Sequence, residues 1–159
     1  MKLAIIAVGN LREKHFLDAC AEYRKRMGVM QPVEVVEVPE EAIADEGSPT
    51  LVEKALEKEA QRILGFLRPG DTAIALTPEG VMVDSVHFAK VIDPSANPDH
   101  KRMVFIIGSS HGLGRTVYDK CDRKLSLSPM TYPHQLARVM LLEQLYRGQM
   151  ILRGRAYHK

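Results

Sequence analysis

The segment Met103–Gly114, MVFIIGSSHGLG, decides the fold: five consecutive apolar residues run straight into a turn that holds three glycines in seven residues. A short apolar run closed by a turn residue reads as a buried strand. The same grammar recurs on either side of it. Lys2–Val8 (KLAIIAV) ends at Gly9, Thr72–Thr77 (TAIALT) ends at Pro78-Glu79-Gly80, Val33–Val38 (VEVVEV) ends at Pro39, and Lys124–Leu127 makes a shorter fifth strand. Between them lie helical patterns. Phe16, Cys20, Tyr23 and Met27 recur at steps of four, three and four, and the apolar residues of Leu51–Leu67 repeat at helical spacing until Pro69-Gly70 stops them. Short helices fit Ser85–Ile92 and Thr116–Cys121, and a long one fits His134 to Gly148, with Pro133 suited to its first turn. Alternating strands and helices predict an α/β fold: a mostly parallel sheet with helices on both faces, because parallel neighbours need crossover connections.

A chain of 159 residues suits one domain spanning 1–159. With 45% hydrophobic and 26% charged residues, it has the composition of a globular protein and not of a disordered or coiled-coil chain. No run approaches the length of a spanning helix, and MKLAIIAVGN has no small-residue cleavage site, so no membrane association and a soluble, cytoplasmic protein are expected. Cys20 and Cys121 stand apart from any second ligand at metal spacing; buried free thiols are expected, with neither a disulfide framework nor a metal site.

The net charge of +2 hides an asymmetry. Residues 1–110 carry 13 Lys and Arg against 17 Asp and Glu, whereas residues 111–159 carry 9 against 3. The terminal RGQMILRGRAYHK contains no acid. Arginine and lysine beside an aromatic such as Tyr157 match what phosphates and bases require, although a solvated basic tail near a helix C-terminus has the same composition.

In a parallel sheet ligands collect beyond the C-terminal strand ends, which singles out the turns 77–81, 108–114 and 128–133. The pattern G-x-x-x-G-x-G in the second is neither a dinucleotide fingerprint nor a phosphate-binding P-loop. His111 has no nucleophile or carboxylate partner in the sequence and reads as solvent-facing, and no G-x-S-x-G elbow occurs. His134 is expected to hold the 128–133 turn in shape through a loop carbonyl.

The stretch LSLSPMTYPHQLARVMLLEQLYR, taken with FIIGSSHGL before it and AYHK at the end, resembles the ribosomal RNA large-subunit pseudouridine N3-methyltransferase family (RlmH), of the SPOUT class. The likeness extends over the chain through MKLAIIAVG, the EYRKR helix end, VEVPE and KEAQRIL. The resemblance implies a C-terminal trefoil knot, a homodimer, S-adenosylmethionine as cofactor, and the assembled ribosome as substrate. Its cofactor contacts map to Leu76, Gly108, Leu127, Ser128, Pro129, Met130, Thr131 and Tyr132, on the three turns already singled out. Apolar Leu76, Leu127 and Met130 suit adenine, with peptide groups to fix its edge.

Methyl transfer to a ring nitrogen is chiefly a matter of alignment, with charge placement second, and needs no metal. Within the resemblance, Arg147 is the candidate to favour the deprotonated acceptor, because it ends the helix that begins at the cofactor turn. His158 or Tyr157 would position the base, and Arg153, Arg155 and Lys159 would hold phosphates alongside Tyr157. The alternative makes Arg147 a helix-end cation and the tail a dimer contact. Ser109 where the family usually has glycine, LTPEGV after the third strand, and Ala156 where proline is usual depart from the pattern. They motivate a second reading, a non-catalytic RNA- or ribosome-binding module.

Overall fold

In the computed structural model, residues 1–158 are described. Ten elements alternate along the chain: β1 (Lys2–Val8), α1 (Lys14–Gly28), β2 (Val33–Val38), α2 (Pro49–Leu64), β3 (Asp71–Met82), α3 (Ser85–Val91), β4 (Arg102–Ile107), α4 (Arg115–Lys120), β5 (Arg123–Ser126) and α5 (His134–Leu152). All five strands pair in parallel, in the order β2-β1-β4-β3-β5. The expected α/β class therefore holds, and the sheet is parallel throughout.

The most apolar strand lies near the middle, with every residue of β4 buried. Period-two alternation in the strands divides the core in two. Leu3, Ile5, Ile74, Met103 and Phe105 face one side, with Cys20 and Met27 of α1, Phe88 of α3 and Leu141, Leu142 and Leu145 of α5. Ala4, Ile6, Ala73, Val104 and Ile106 face the other, with Ala60 and Ile63 of α2 and Val117 of α4. Among the described residues no helix is long and apolar enough to cross a membrane.

The ends of β3 and α5 differ most from the sequence reading. The turn expected at 77–81 is a bulge within β3: the strand pairs Leu76 with Leu125, shifts register, and resumes with Val81 beside Leu125 and Met82 beside Ser126. Pro78 lies in the interrupted ladder, where its missing N–H matters least. A Cβ on Gly80 would come 2.4 Å from the Leu125 carbonyl carbon, so glycine here permits strand contact and does not end the strand. Likewise α5 runs past Gly148 to Leu152. Gly148 makes room for α3, since a Cβ would sit 2.7 Å from Ile92 Cδ1.

At the opposite end of the sheet Arg102, almost wholly buried, joins three elements by bonding Asp71 at 2.9 and 2.5 Å, Glu34 at 3.1 Å and the Phe66 carbonyl at 2.9 Å. This network ties β2, β3 and β4 together at their N-terminal ends.

Candidate active site

The turn between β5 and α5 organises the C-terminal rim of the sheet. β5 is the edge strand beyond β3, yet the first residue of α5, His134, lies beside Gly9 at the end of β1. Segment 127–133 therefore starts at one edge and finishes three strands away, about 14 Å at the usual strand spacing. Between its ends lie β3, with Leu76 at the start of its bulge, and the end of β4, with Gly108 just past it; Ala75 stands opposite Ile106 and Leu76 opposite Leu125. The β3 bulge and the turns after β4 and β5 thus lie on three neighbouring strands.

Two interactions anchor the landing of α5. Arg138, only 1% exposed, donates to the Gly9 carbonyl at 2.8 Å and forms an ion pair with Glu37. Gly9 takes φ of +81°, a left-handed conformation that glycine adopts without strain. Further along, Gln149 donates to the Gln31 carbonyl at 3.0 Å.

The turn is shaped by serines and not by His134, whose side chain makes no hydrogen bond to another described residue. Ser126 Oγ donates to the Ser128 carbonyl at 2.9 Å, and Ser128 Oγ accepts from the Met130 peptide at 3.1 Å. Pro129, Met130 and Thr131 are exposed, Met130 to 62%, while Leu127, Ser128 and Tyr132 are half-buried. The peptide N–H groups of Thr131 and Tyr132 make no hydrogen bond to another described residue. Leu76 is half-buried against the core.

The glycine turn after β4 is tightly folded on itself. A Cβ on Gly108 would lie 2.1 Å from the Gly112 carbonyl oxygen, and Gly112 takes φ of +92°. Ser109 Oγ donates to Glu59 Oε2 at 3.0 Å, and Glu59 Oε1 accepts from the Glu41 peptide at 2.9 Å. Glu59 is 3% exposed, and burial pushes its pKa above the ordinary carboxylate range despite those two donors. His111 is half-buried, 3.9 Å from Glu46, rather than freely solvent-facing.

A cavity of about 600 Å³ opens beside Leu127. Its walls include Val83 and Ser85 at the start of α3, Met140 and Glu143 of α5, Tyr23 of α1, and His158 from the tail. Leu127 and His158 are thus brought to one space. Leu76, Gly108 and residues 129–132 lie outside its lining.

Glu143 is the hub beside this cavity. Its Oε1 accepts from Arg147 at 3.0 and 2.5 Å and from the Tyr157 hydroxyl at 3.2 Å. Its Oε2 accepts from Gln144 at 2.7 Å, whose amide oxygen accepts from Ser85 Oγ at 2.8 Å. Arg147 also lies over the Tyr157 ring, 4.7 Å from its centroid. The Glu143 contact raises the Arg147 pKa, so the guanidinium stays charged. Burial and the bond with Tyr23 push the Tyr157 phenol up to about 12, which keeps it a hydrogen-bond donor. Arg153 and Arg155 are exposed past α5, and Lys159 lies outside the described residues.

Sequence reasoning missed Glu143, Tyr23 and Glu59. A signal for Glu143 was available: it precedes Arg147 by four residues on one helix, the spacing of a favourable acid–base pair. Tyr23 and Glu59 carry no such local mark, since only the packing of α1 on α5 and of α2 on the sheet brings them to their places.

Comparison with known proteins agrees with this architecture. The chain is similar in fold to a probable methyltransferase from Bordetella pertussis Tohama I, with 16% identity, 93% of this chain and 94% of that chain covered, and a TM-score of 0.57. It is also similar to the SpoU methyltransferase AviRb from Streptomyces viridochromogenes, solved with its cofactor AdoMet, at 15% identity and a TM-score of 0.46 over 94% of this chain and 58% of that one. The family model described as a predicted SPOUT methyltransferase matches residues 1–158, so the chain belongs to the SPOUT methyltransferase family.

Proposed function

We propose that this chain transfers the methyl group of S-adenosylmethionine to N3 of a pseudouridine in large-subunit ribosomal RNA. It acts in the cytoplasm as a homodimer on the assembled ribosome, and its C-terminal portion is threaded as a trefoil knot. The return of the chain from the edge strand β5 to a landing beside β1 supports the threading. Exposed Val81, Met82, Val86 and Met130 offer apolar surface to a second copy.

The residues of the 127–132 turn fit an adenosyl group. Half-buried Leu127 and Leu76 supply apolar faces, Met130 is free to cover a ring, and the peptide N–H groups of Thr131 and Tyr132 are available to ring nitrogens or hydroxyls. Bound there, S-adenosylmethionine supplies a methyl group on a positively charged sulfur. Everything else falls to the chain. N3 of pseudouridine would react as the anion left when its imide proton passes to solvent water, the N–CH3 bond forming as the S–CH3 bond breaks and S-adenosylhomocysteine leaves, and the Arg147 guanidinium would stabilise that anion. Glu143 and the Tyr157 ring fix the guanidinium before substrate arrives, so little reorganisation accompanies the reaction. His158, at the wall of the cavity, positions the base by hydrogen bonding, while Arg153, Arg155 and Lys159 hold phosphates.

The observation that carries this reading is the convergence of Arg147, Tyr157 and His158, through Glu143, on the cavity that Leu127 lines. Radiolabelled methyl transfer to ribosomes from a strain lacking this protein, followed by mass spectrometry of the nucleosides, tests it. Label in N3-methylpseudouridine of large-subunit RNA is expected. Binding of RNA without any transfer would favour the non-catalytic module instead.

A further inference from the structure

Helix α2 lies on the sheet face away from the cavity of Leu127 and Glu143, and the chemistry described above makes no use of it. It nevertheless supports the turn after β4 from behind, at both of that turn's ends. A Cβ on Gly114, where the turn finishes, would lie 2.6 Å from the Leu56 carbonyl oxygen, so the backbone of the turn rests directly on the helix. Ser109, where the turn begins, donates to Glu59 Oε2 at 3.0 Å. Among the described residues, this is the one hydrogen bond that the side chains of residues 108–114 make to another element.

The second oxygen of Glu59 holds another segment. Its Oε1 accepts from the Glu41 peptide at 2.9 Å, just past β2, and the Glu41 side chain is paired in turn with Lys58 and Arg62 of α2. One carboxylate therefore ties the chain after β2 and the turn after β4 to a single helix. Packing alone does not account for a carboxylate at this position. Glu59 is 3% exposed, the other buried residues of α2 are Ala55, Ala60 and Ile63, and burial raises the Glu59 pKa in spite of both donors. A buried charge costs desolvation, and an apolar side chain of similar volume often serves stability as well or better. What an apolar side chain cannot do is fix two backbone segments relative to one helix. The turn is also closed on itself: a Cβ on Gly108 would lie 2.1 Å from the Gly112 carbonyl oxygen, so a displacement of Ser109 is passed to Gly108 beside it.

We propose that Glu59 is a positioning residue for cofactor binding: by holding Ser109 it sets where the Gly108 turn stands at the sheet rim, and with it the fit of S-adenosylmethionine against Leu76 and Leu127. The proposal rests on the reading of that turn as part of the cofactor pocket, and adds to the pocket a group that does not touch the ligand. Small displacements of a supporting segment are enough to loosen a site built from backbone groups.

The test is S-adenosylmethionine affinity of the full chain by calorimetry, with methyl transfer to isolated ribosomes measured on the same preparations, at a temperature where circular dichroism shows each variant folded. Ser109→Ala removes the bond on the side of the turn, and Glu59→Leu removes both bonds. Each should weaken S-adenosylmethionine binding about five- to tenfold, the range expected for one hydrogen bond to a charged group, while kcat at saturating S-adenosylmethionine stays within about twofold. Ser109→Ala leaves the helix unaltered and decides the matter even where Glu59→Leu does not fold. Glu59→Gln, whose amide can donate to Ser109 and accept from the Glu41 peptide, should bind within about twofold of the unsubstituted chain. Thr116→Ala breaks the 2.6 Å bond from α4 to Glu57 of the same helix without touching the turn, and should leave affinity unchanged. Unaltered binding in S109A, an equal loss in T116A, weak binding by E59Q, or a fall in kcat with affinity intact would overturn the positioning role, as would an unsubstituted chain that binds no S-adenosylmethionine. The expected losses of affinity without methyl transfer to ribosomes would leave Glu59 in its role and remove the substrate reading, so the two fail separately.

Discussion

At the scale of single residues, the site depends on one carboxylate with several donors. Arg147 and Tyr157 both point at Glu143 Oε1, so the tail and helix α5 share an acceptor. Arg147→Ala should lower methyl transfer about a hundredfold or more, the cost typical of losing one preorganised charge-stabilising donor. Calorimetry should find S-adenosylmethionine affinity nearly unchanged; equal loss of both would refute the division of labour. Tyr157 gives a pH test. Its folded pKa of about 12 lies above its ordinary value of 10.0, so its contribution to stability is complete below pH 10 and is lost as pH rises from 10 to 12. Alkaline melting of the wild type should fall more steeply across that window than melting of Tyr157→Phe. Parallel curves would show that the hydroxyl is not held as described.

Ser109 illustrates a departure that the fold explains. Read as a sequence, it replaces a glycine expected in the cofactor turn; in the structure its hydroxyl satisfies a buried carboxylate on α2. Burial raises the Glu59 pKa, so this group favours the folded state most below its ordinary value of 4.5, and the benefit is lost as pH rises through the elevated folded pKa. Glu59→Gln keeps the hydrogen-bonding shape without the charge. Its melting temperature at pH 8 should exceed that of the wild type by roughly 2–4 °C, and the gap should close at pH 4. A gap that persists at pH 4 would mean that desolvated charge is not what the variant relieves.

At the scale of elements, the strands were legible where their apolar runs end at a single breaker. β2 falls at Val33–Val38 and β1 at Lys2–Val8, as their valine- and isoleucine-rich patterns predict. β3 was not, because Pro78-Glu79-Gly80 has the composition of a turn, and only the partner strand reveals that Gly80 makes room for Leu125. The end of α5 was misread for the same reason: Gly148 looks like a stop, and its purpose is contact with Ile92. Gly80→Ala should therefore destabilise by on the order of 3 kcal/mol, since the clash is with backbone that cannot rotate away. Denaturant melting that finds less than about 0.5 kcal/mol, the range of ordinary surface substitutions, would show that the bulge is loose.

At the scale of the whole molecule, the parallel sheet and its rim turns follow from local patterns, whereas the site depends on which distant elements the topology unites. The sequence marks 128–133 as a turn; the strand order makes it a crossing over β3 and the end of β4. The charge split marks the tail as basic; the packing of α5 on α1 sets Tyr23 against Tyr146, whose ring meets Tyr157 of that tail. Neither fact has a local signature, because each is a consequence of a long-range contact between elements whose own patterns record only burial.

A crystal structure of this protein with S-adenosylmethionine tests the account most directly. Adenine is expected between Leu76, Leu127 and Met130, bonded by the peptide groups of Thr131 or Tyr132, with the methyl group facing the cavity of Tyr23, Glu143 and His158. Ligand bound only at the far cavity between Arg68 and Asp122, or a 127–133 segment that turns away from β3 and the end of β4, would contradict it.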